Sequence, residues 1–160
     1  MKTYQAPWGG ALIVISSLLV VLSIASVVGL PMLLPNVPEG MASLAPWLLP
    51  VIVLCCLPFM IRGYVITEDA ILIRRLFWTT RLDCAGLKSV DSVPNAMRRS
   101  LRTFGNGGGF SVTGWYWSKS LGFYRAFVTD LNRTVVLRFA NRTVVVSPDD
   151  PEGFVNELKR

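Results

Sequence analysis

The chain has 160 residues, of which 52% are hydrophobic and 16% charged, and its formal net charge is +6 at pH 7. Soluble globular domains usually carry about 25% charged residues, so this is not the composition of one ordinary soluble domain. It also excludes a large soluble enzyme, a disordered chain and a disulfide scaffold. The absence of histidine excludes catalysis that needs an imidazole from this chain. Only Lys2 and Glu39 carry charge before Arg62, and the other 15 basic and 9 acidic residues lie from Arg62 onward.

The apolar N-terminal part, residues 1–61, predicts a membrane anchor of two helices. Residues 11–34 contain no charge, and about 20 apolar residues are enough to cross about 30 Å of hydrocarbon. A short, turn-rich linker over residues 35–43 leads to a second span over residues 44–61. Three prolines interrupt this second span, so we expect it to be kinked or shortened. Two buried helices in a soluble protein are the alternative, but so small a chain could not cover them on all sides.

The basic residues predict the orientation of these spans. Lys2 precedes the first span and a group of arginines follows the second, whereas the linker has no basic residue. Loops rich in Lys and Arg remain on the cytoplasmic side of a membrane. We therefore expect a multi-pass protein of the cell membrane with both termini in the cytoplasm and the linker outside.

From residue 62 onward the periodicity becomes that of β-strands. Seven strands are predicted, over residues 64–67, 70–75, 79–83, 87–93, 124–129, 134–139 and 143–146. A long irregular insertion at about 94–122 separates the fourth strand from the fifth, and loops of that length are uncommon unless they are functional or disordered.

A helix is predicted at the C-terminus. Asp150 is a good N-cap residue and Pro151 a good first helical residue, and Phe154, Val155 and Leu158 share one helical face. The predicted fold is therefore two transmembrane helices followed by a mainly-β, partly open barrel or sheet, with the terminal helix plugging one end. The domains are the anchor, residues 1–61, and a cytoplasmic domain, residues 62–160.

Several segments of this domain resemble the bacterial pleckstrin-homology-like (PH-like) domain families. They are Gly-Tyr-Val-Ile-Thr-Glu-Asp-Ala-Ile-Leu-Ile at 63–73, then 121–130, 135–138 and 144–151 with Phe154. The resemblance implies a PH-like fold in a membrane-proximal setting and implies little chemistry. Lipid-binding eukaryotic PH domains hold phosphoinositides with basic residues around the first hairpin loop. Here that loop is Glu68-Asp69, which repels phosphate, so phosphoinositide binding is not carried over.

No catalytic, cofactor-binding or metal-binding motif is visible. The serines have no histidine to activate them. Cys55, Cys56 and Cys84 lack metal-ligand spacing and are interpreted as small apolar filler. We expect no enzymatic activity and no cofactor.

Six residues of the insertion are candidates for contact with lipid or a partner. Arg98, Arg99 and Arg102 could each gain about 1 kcal/mol from anionic headgroups, although a solvated basic turn explains them equally well. The others, Trp115, Trp117 and Lys119, suit a membrane interface or a partner groove.

Two further features of the insertion have structural interpretations. The glycine-rich run 105–109 lacks the Gly-Lys-Ser/Thr of a phosphate-binding loop and is interpreted as a flexible turn or hinge. Residues 110–113, which follow it, are interpreted as a strand and not as the helix that such a loop needs. Phe123 and Tyr124 are interpreted as a lid over the apolar core of the domain.

The predicted function is that of a non-catalytic interaction or assembly module at the inner leaflet, acting on a protein partner or a second copy of the chain. Direct binding of anionic lipid headgroups by the basic and aromatic loop is the alternative. An accessory subunit of a transporter or enzyme is disfavoured, because intramembrane charges usually mark transport paths and the spans have none. No nucleic-acid motif accompanies the arginines, so nucleic acid is not an expected partner.

Overall fold

A computed structural model of the chain describes residues 1–33 and 44–159. In that part of the chain the strands are β1 Lys2–Gln5, β2 Ile61–Ile66, β3 Ala70–Arg75, β4 Thr79–Asp83, β5 Leu87–Ser92, β6 Leu101–Gly107, β7 Val112–Ser118, β8 Gly122–Val128, β9 Val135–Phe139 and β10 Thr143–Val146. The helices are α1 Gly10–Leu33, α2 Leu48–Cys56 and α3 Pro151–Leu158, with 3₁₀ turns at Ala45–Trp47 and Leu57–Phe59. The whole predicted linker, residues 35–43, lies outside the described residues.

The first apolar segment forms one long helix. Helix α1 has 24 residues, which at about 1.5 Å per residue gives a length of about 36 Å. It contains no charged residue, and its side chains are mostly exposed in the isolated chain. Among the described residues it is the one helix long and apolar enough to cross a membrane.

The second apolar segment is shorter than the predicted span of 44–61. Its helical part runs from Ala45 to Phe59, and only Leu48–Cys56 is α-helical. Prolines near both ends remove backbone donors and produce 3₁₀ turns, and Met60 already has extended backbone angles. The segment packs beside α1, where the Ser26 hydroxyl donates a 2.9 Å hydrogen bond to the carbonyl of Pro46.

The N-terminal residues form a strand that the sequence analysis did not predict. Strand β1 pairs antiparallel with β2, so that Tyr4 lies opposite Tyr64. One sheet therefore has the order β1-β2-β3-β4. The chain leaves this sheet to form the apolar helices and returns to the neighbouring strand of the same sheet.

The second sheet has the order β5-β9-β10-β8-β7-β6, with β8 and β10 parallel and its other neighbouring strands antiparallel. The expectation that residues 94–122 are irregular is wrong, because this segment contains β6 and β7. The two strands approach each other closely where Gly105 lies opposite Gly114. A Cβ atom on Gly114 would lie 2.1 Å from the Phe104 carbonyl oxygen, so only glycine fits there. Glycine is unfavourable within strands, so the sequence indicated a strand only at 110–113 and missed the rest of the pair.

The core of the domain lies between the two sheets and α3. Phe154 of α3 is fully buried, and its ring makes edge contacts with Tyr4 and Tyr64 at centroid distances of 5.0 and 6.2 Å. The Asp150 side chain caps the helix by accepting a hydrogen bond from the backbone N–H of Gly153, as predicted. The C-terminal helix thus closes the sheets by inserting an aromatic ring between them.

A second apolar cluster covers the opposite face of the six-stranded sheet. The rings of Tyr116 and Tyr124 stack there with their centroids 5.9 Å apart, and Met97 packs in the same cluster. The turn that contains Met97 therefore covers this face of the sheet.

The Tyr64 phenol ties the sheets together and should make stability depend on alkaline pH. Its hydroxyl donates to the Phe127 carbonyl at 2.7 Å and accepts from the backbone N–H of Ser147 at 3.2 Å. Burial raises the pKa of Tyr64 to about 12, whereas a phenol in an unfolded chain titrates near about 10. The folded state therefore holds this proton more tightly, and the resulting stability is complete below pH ~10 and is lost as the pH rises toward ~12.

We expect Tyr64→Phe to cost about 1–3 kcal/mol at neutral pH, because the Ser147 N–H loses its acceptor. The variant should also lose less stability than the parent protein between pH ~10 and ~12. Chemical unfolding at a series of pH values checks both effects, with Tyr4→Phe as the control for removal of a phenol that donates to a carbonyl. Parallel pH profiles for the parent and Tyr64→Phe would contradict this role.

Candidate functional site

The structure separates the six predicted contact residues. Arg98 and Arg99 are exposed in the turn between β5 and β6, beside the cluster that contains Met97. Trp115 and Trp117 alternate with Tyr116 along β7. They therefore lie on the face of the sheet opposite Tyr116 and the cluster that contains Met97. The six residues do not form one patch.

The remaining two predicted residues lie near the ends of strands. Arg102 is exposed in β6, the edge strand of the sheet, and Lys119 is exposed in the turn between β7 and β8. In the lid prediction, Tyr124 is buried as expected. Phe123 is 68% exposed because it lies on the other face of β8, so that part of the prediction is wrong.

The glycine-rich turn between β6 and β7 packs against α1. The buried Ser16 hydroxyl accepts a hydrogen bond from the Phe110 N–H at 3.0 Å and donates to the Gly108 carbonyl at 3.4 Å. Gly108 has a φ of +141°, and a Cβ atom there would lie 3.2 Å from Ile15. The turn predicted to be a flexible hinge is instead fixed to the first apolar helix.

The end of the second apolar segment is fixed to the sheets by one carbonyl group. The Phe59 carbonyl accepts from the Ser111 hydroxyl at 2.9 Å and from Arg75 Nη1 at 3.3 Å. The Phe59 ring makes an edge contact with Trp78 at 5.5 Å. Both apolar helices are therefore held against the domain by specific polar contacts.

A cavity of about 540 Å³ opens between the end of the second apolar segment and the face of β6, β7 and β8 that carries Trp115. Cys55, Cys56 and Phe59 form its helical wall. Arg75 and Arg125 also line it, and no acidic residue of the described chain does. Arg102 borders the cavity, but it pairs with Tyr116 and its guanidinium lies over Gly107 on the other face of the sheet.

Arg75 and Arg125 approach the same aromatic ring. Their guanidinium carbons lie 5.2 and 4.9 Å from the ring centroid of Phe127. Arg75 is only 8% exposed, and two of its five N–H donors are used, toward Phe59 and the Thr80 hydroxyl. Burial, and then the positive charge of Arg125, lower the pKa of Arg75, although a guanidinium remains protonated at neutral pH.

Sequence reasoning missed Arg75 and Arg125 as site residues. A detectable signal was present, because strand alternation places Arg75 on the same face of β3 as Ile71 and Ile73. The same alternation places Arg125 with Phe127 on β8. An arginine continuing an inward-facing apolar row indicates a buried cation.

An exposed apolar surface continues from the cavity along the edge of the six-stranded sheet. Phe104 on β6 is 77% exposed and lies opposite Trp115 on β7. Further along β7, Trp117 lies between Leu101 of β6 and Phe123 of β8. We call Leu101, Phe104 and Phe123, with the two tryptophans, the aromatic face.

Comparison with known families assigns this domain. The profile of a family described as bacterial PH domain matches residues 62–160. The chain belongs to the bacterial PH domain family. The matched PH domain includes β2 to β10 and α3, whereas β1 lies outside the match and completes the first sheet. PH-like domains are generally non-catalytic. No curated protein and no solved structure matches the chain.

We expect Ser16→Ala to loosen the contact between α1 and the PH domain. The buried Phe110 N–H would lose its acceptor, which costs about 1–3 kcal/mol and corresponds to a decrease of roughly 2–12 °C in the thermal midpoint of the full chain in detergent. Ser17→Ala is the matched control, because Ser17 is the exposed neighbour on the same helix. Equal midpoints for the two variants would contradict the proposed contact.

Proposed function

We propose that this protein is a two-span membrane protein whose PH domain is a non-catalytic interaction module at the inner leaflet. The aromatic face supports this role most directly. Isolated exposed apolar side chains are common, but a contiguous aromatic surface on a folded domain marks an interaction site. Its position beside the apolar helices would place the contact next to the bilayer.

The proposed topology is supported by the pairing of β1 with β2. Both strands belong to one sheet. The segment before α1 and the PH domain would therefore lie on the same side of a membrane crossed by the two helices. Ala45–Phe59 covers only about 22 Å of the roughly 30 Å of hydrocarbon, a mismatch that local thinning of the bilayer can accommodate. The basic residues then favour the cytoplasmic side for both ends.

The binding mode is supported by the position of β6. This strand is at the edge of its sheet, so its outer backbone N–H and C=O groups have no neighbouring strand among the described residues. An edge strand can accept an extended segment through backbone hydrogen bonds, and adjacent side-chain surfaces then provide specificity. The aromatic face beside β6 would supply that surface to a protein partner or a second copy of the chain.

Site-specific photo-crosslinking of the full chain in native membranes tests this proposal. We expect a photoreactive residue at Phe104 to form a crosslink with a protein, and one at Lys88 to form none. Lys88 is exposed on β5, at the opposite edge of the same sheet, and is therefore the matched control. The crosslink at Phe104 should also decrease several-fold when Phe123→Glu places a charge in the aromatic face.

Failure to detect any protein crosslink at Phe104, or equal crosslinking at Lys88, would contradict the interaction role. Protease treatment separates this outcome from an error in topology. The PH domain should be digested in inverted membrane vesicles and protected in intact cells. Digestion in intact cells would overturn the cytoplasmic placement.

A further inference from the structure

We propose that the cavity lined by Arg75 and Arg125 binds the phosphate group of an anionic phospholipid at the surface of the bilayer. This site goes beyond the protein-interaction role and rests only on the membrane placement of the proposed function. It is also separate from the first hairpin loop of the PH domain. That loop, which contains Glu68, is at the end of β2 and β3 remote from Phe59.

The first argument is charge. No carboxylate in residues 1–33 and 44–159 forms a salt bridge with Arg75 or Arg125, whereas Arg81, Arg133 and Arg138 each have an aspartate partner. A buried cation without an anion is costly, because the attraction of a counter-ion is needed to offset its desolvation. An anion that enters the cavity would supply the missing charge.

The second argument is hydrogen bonding. Arg75 is held by the Phe59 carbonyl and the Thr80 hydroxyl, which use two of its five donors and orient the guanidinium. No side-chain nitrogen or oxygen in the described chain is both fully buried and unpartnered, so Arg75 Nη2, which has no partner, keeps some exposure, and Arg75 lines the cavity. Guanidinium groups match phosphate oxygens in geometry and bind them with charge-assisted hydrogen bonds.

The third argument identifies a lipid as the source of the phosphate. The cavity is far larger than an inorganic phosphate needs, and much of its wall is apolar or aromatic, including Cys56, Phe59 and Phe104. Its helical wall is the end of the second apolar segment, which lies at headgroup depth if that segment enters the bilayer. A phosphate joined to a glycerol and acyl chains has the matching chemistry, with its anion against the arginines and its apolar part against the helix.

Thermal unfolding of the purified full chain in neutral detergent tests this site. The probe is dihexanoylphosphatidylglycerol, with dihexanoylphosphatidylcholine and inorganic phosphate as the comparison ligands. We expect only the anionic lipid to raise the thermal midpoint at millimolar concentration. Arg125→Gln should weaken its apparent affinity at least tenfold.

Arg142→Gln is the matched control and should bind as tightly as the parent protein. Arg142 also lies over an aromatic ring, 4.9 Å from the centroid of Phe139, but outside the cavity.

Equal stabilisation by phosphatidylcholine, or equal loss in Arg142→Gln, would overturn the site. Equal stabilisation by inorganic phosphate would overturn the lipid assignment in favour of a soluble anion. Stabilisation by an acidic peptide, with none by the lipid, would assign the cavity to a protein partner. A failed lipid response with an intact crosslink at Phe104 would remove only this inference, whereas solubility of the full chain without detergent would remove both proposals.

Discussion

Two polar contacts between the apolar helices and the PH domain determine how the rest of the structure is arranged. The Ser16 hydroxyl joins α1 to the turn between β6 and β7, and the Phe59 carbonyl joins the second apolar segment to β3 and the start of β7. In apolar surroundings such groups must be paired, since an unpaired polar group costs free energy comparable to a lost hydrogen bond. Each contact is therefore specific in position, unlike apolar packing along the same helices. The cavity lies where the second of these contacts brings Arg75 beside the helix.

The sequence was sufficient to predict strands in which apolar residues alternate and turn residues mark the ends. The strands over 70–75, 79–83 and 143–146 have their predicted bounds, because local pattern and final environment agree there. The full extent of the β6–β7 pair could not be predicted from local preference. Gly105 and Gly114 have positive φ and are required by close contact between the strands, a property of the folded pair and not of either segment.

The candidate site was less predictable than the fold, since it combines segments that are distant in the sequence. Arg75 comes from β3, Arg125 from β8 and Phe59 from the end of the second apolar segment. Alternation along β3 could have indicated that Arg75 is buried, but not that its guanidinium meets the Phe59 carbonyl. Clusters of adjacent basic residues, such as Arg98 and Arg99, attract attention in a sequence, yet here they are exposed on the other face of the sheet. Spacing in the sequence was therefore a poor guide to proximity in this site.

The burial of Arg75 indicates that the contact between the second apolar segment and the PH domain serves more than stability. An apolar side chain at position 75 could pack against Phe127 and Phe59 without the cost of desolvating a charge. Replacement of buried ionic groups by apolar ones is often neutral or stabilising, so stability alone does not explain an arginine here. The cation–π contacts with Phe59, Trp78 and Phe127 offset part of that cost, since each contributes about 0.5–2 kcal/mol. They do not neutralise the charge, and Arg125 adds a second one beside the same ring.

The aromatic rings and the Phe59 carbonyl thus hold two cations close together in a partly apolar cavity. That arrangement gains free energy when an anion is bound, so the domain and its helices would be most firmly joined when the cavity is filled. A ligand drawn from the bilayer would then stabilise the orientation of the domain at the membrane surface, and with it the position of the aromatic face.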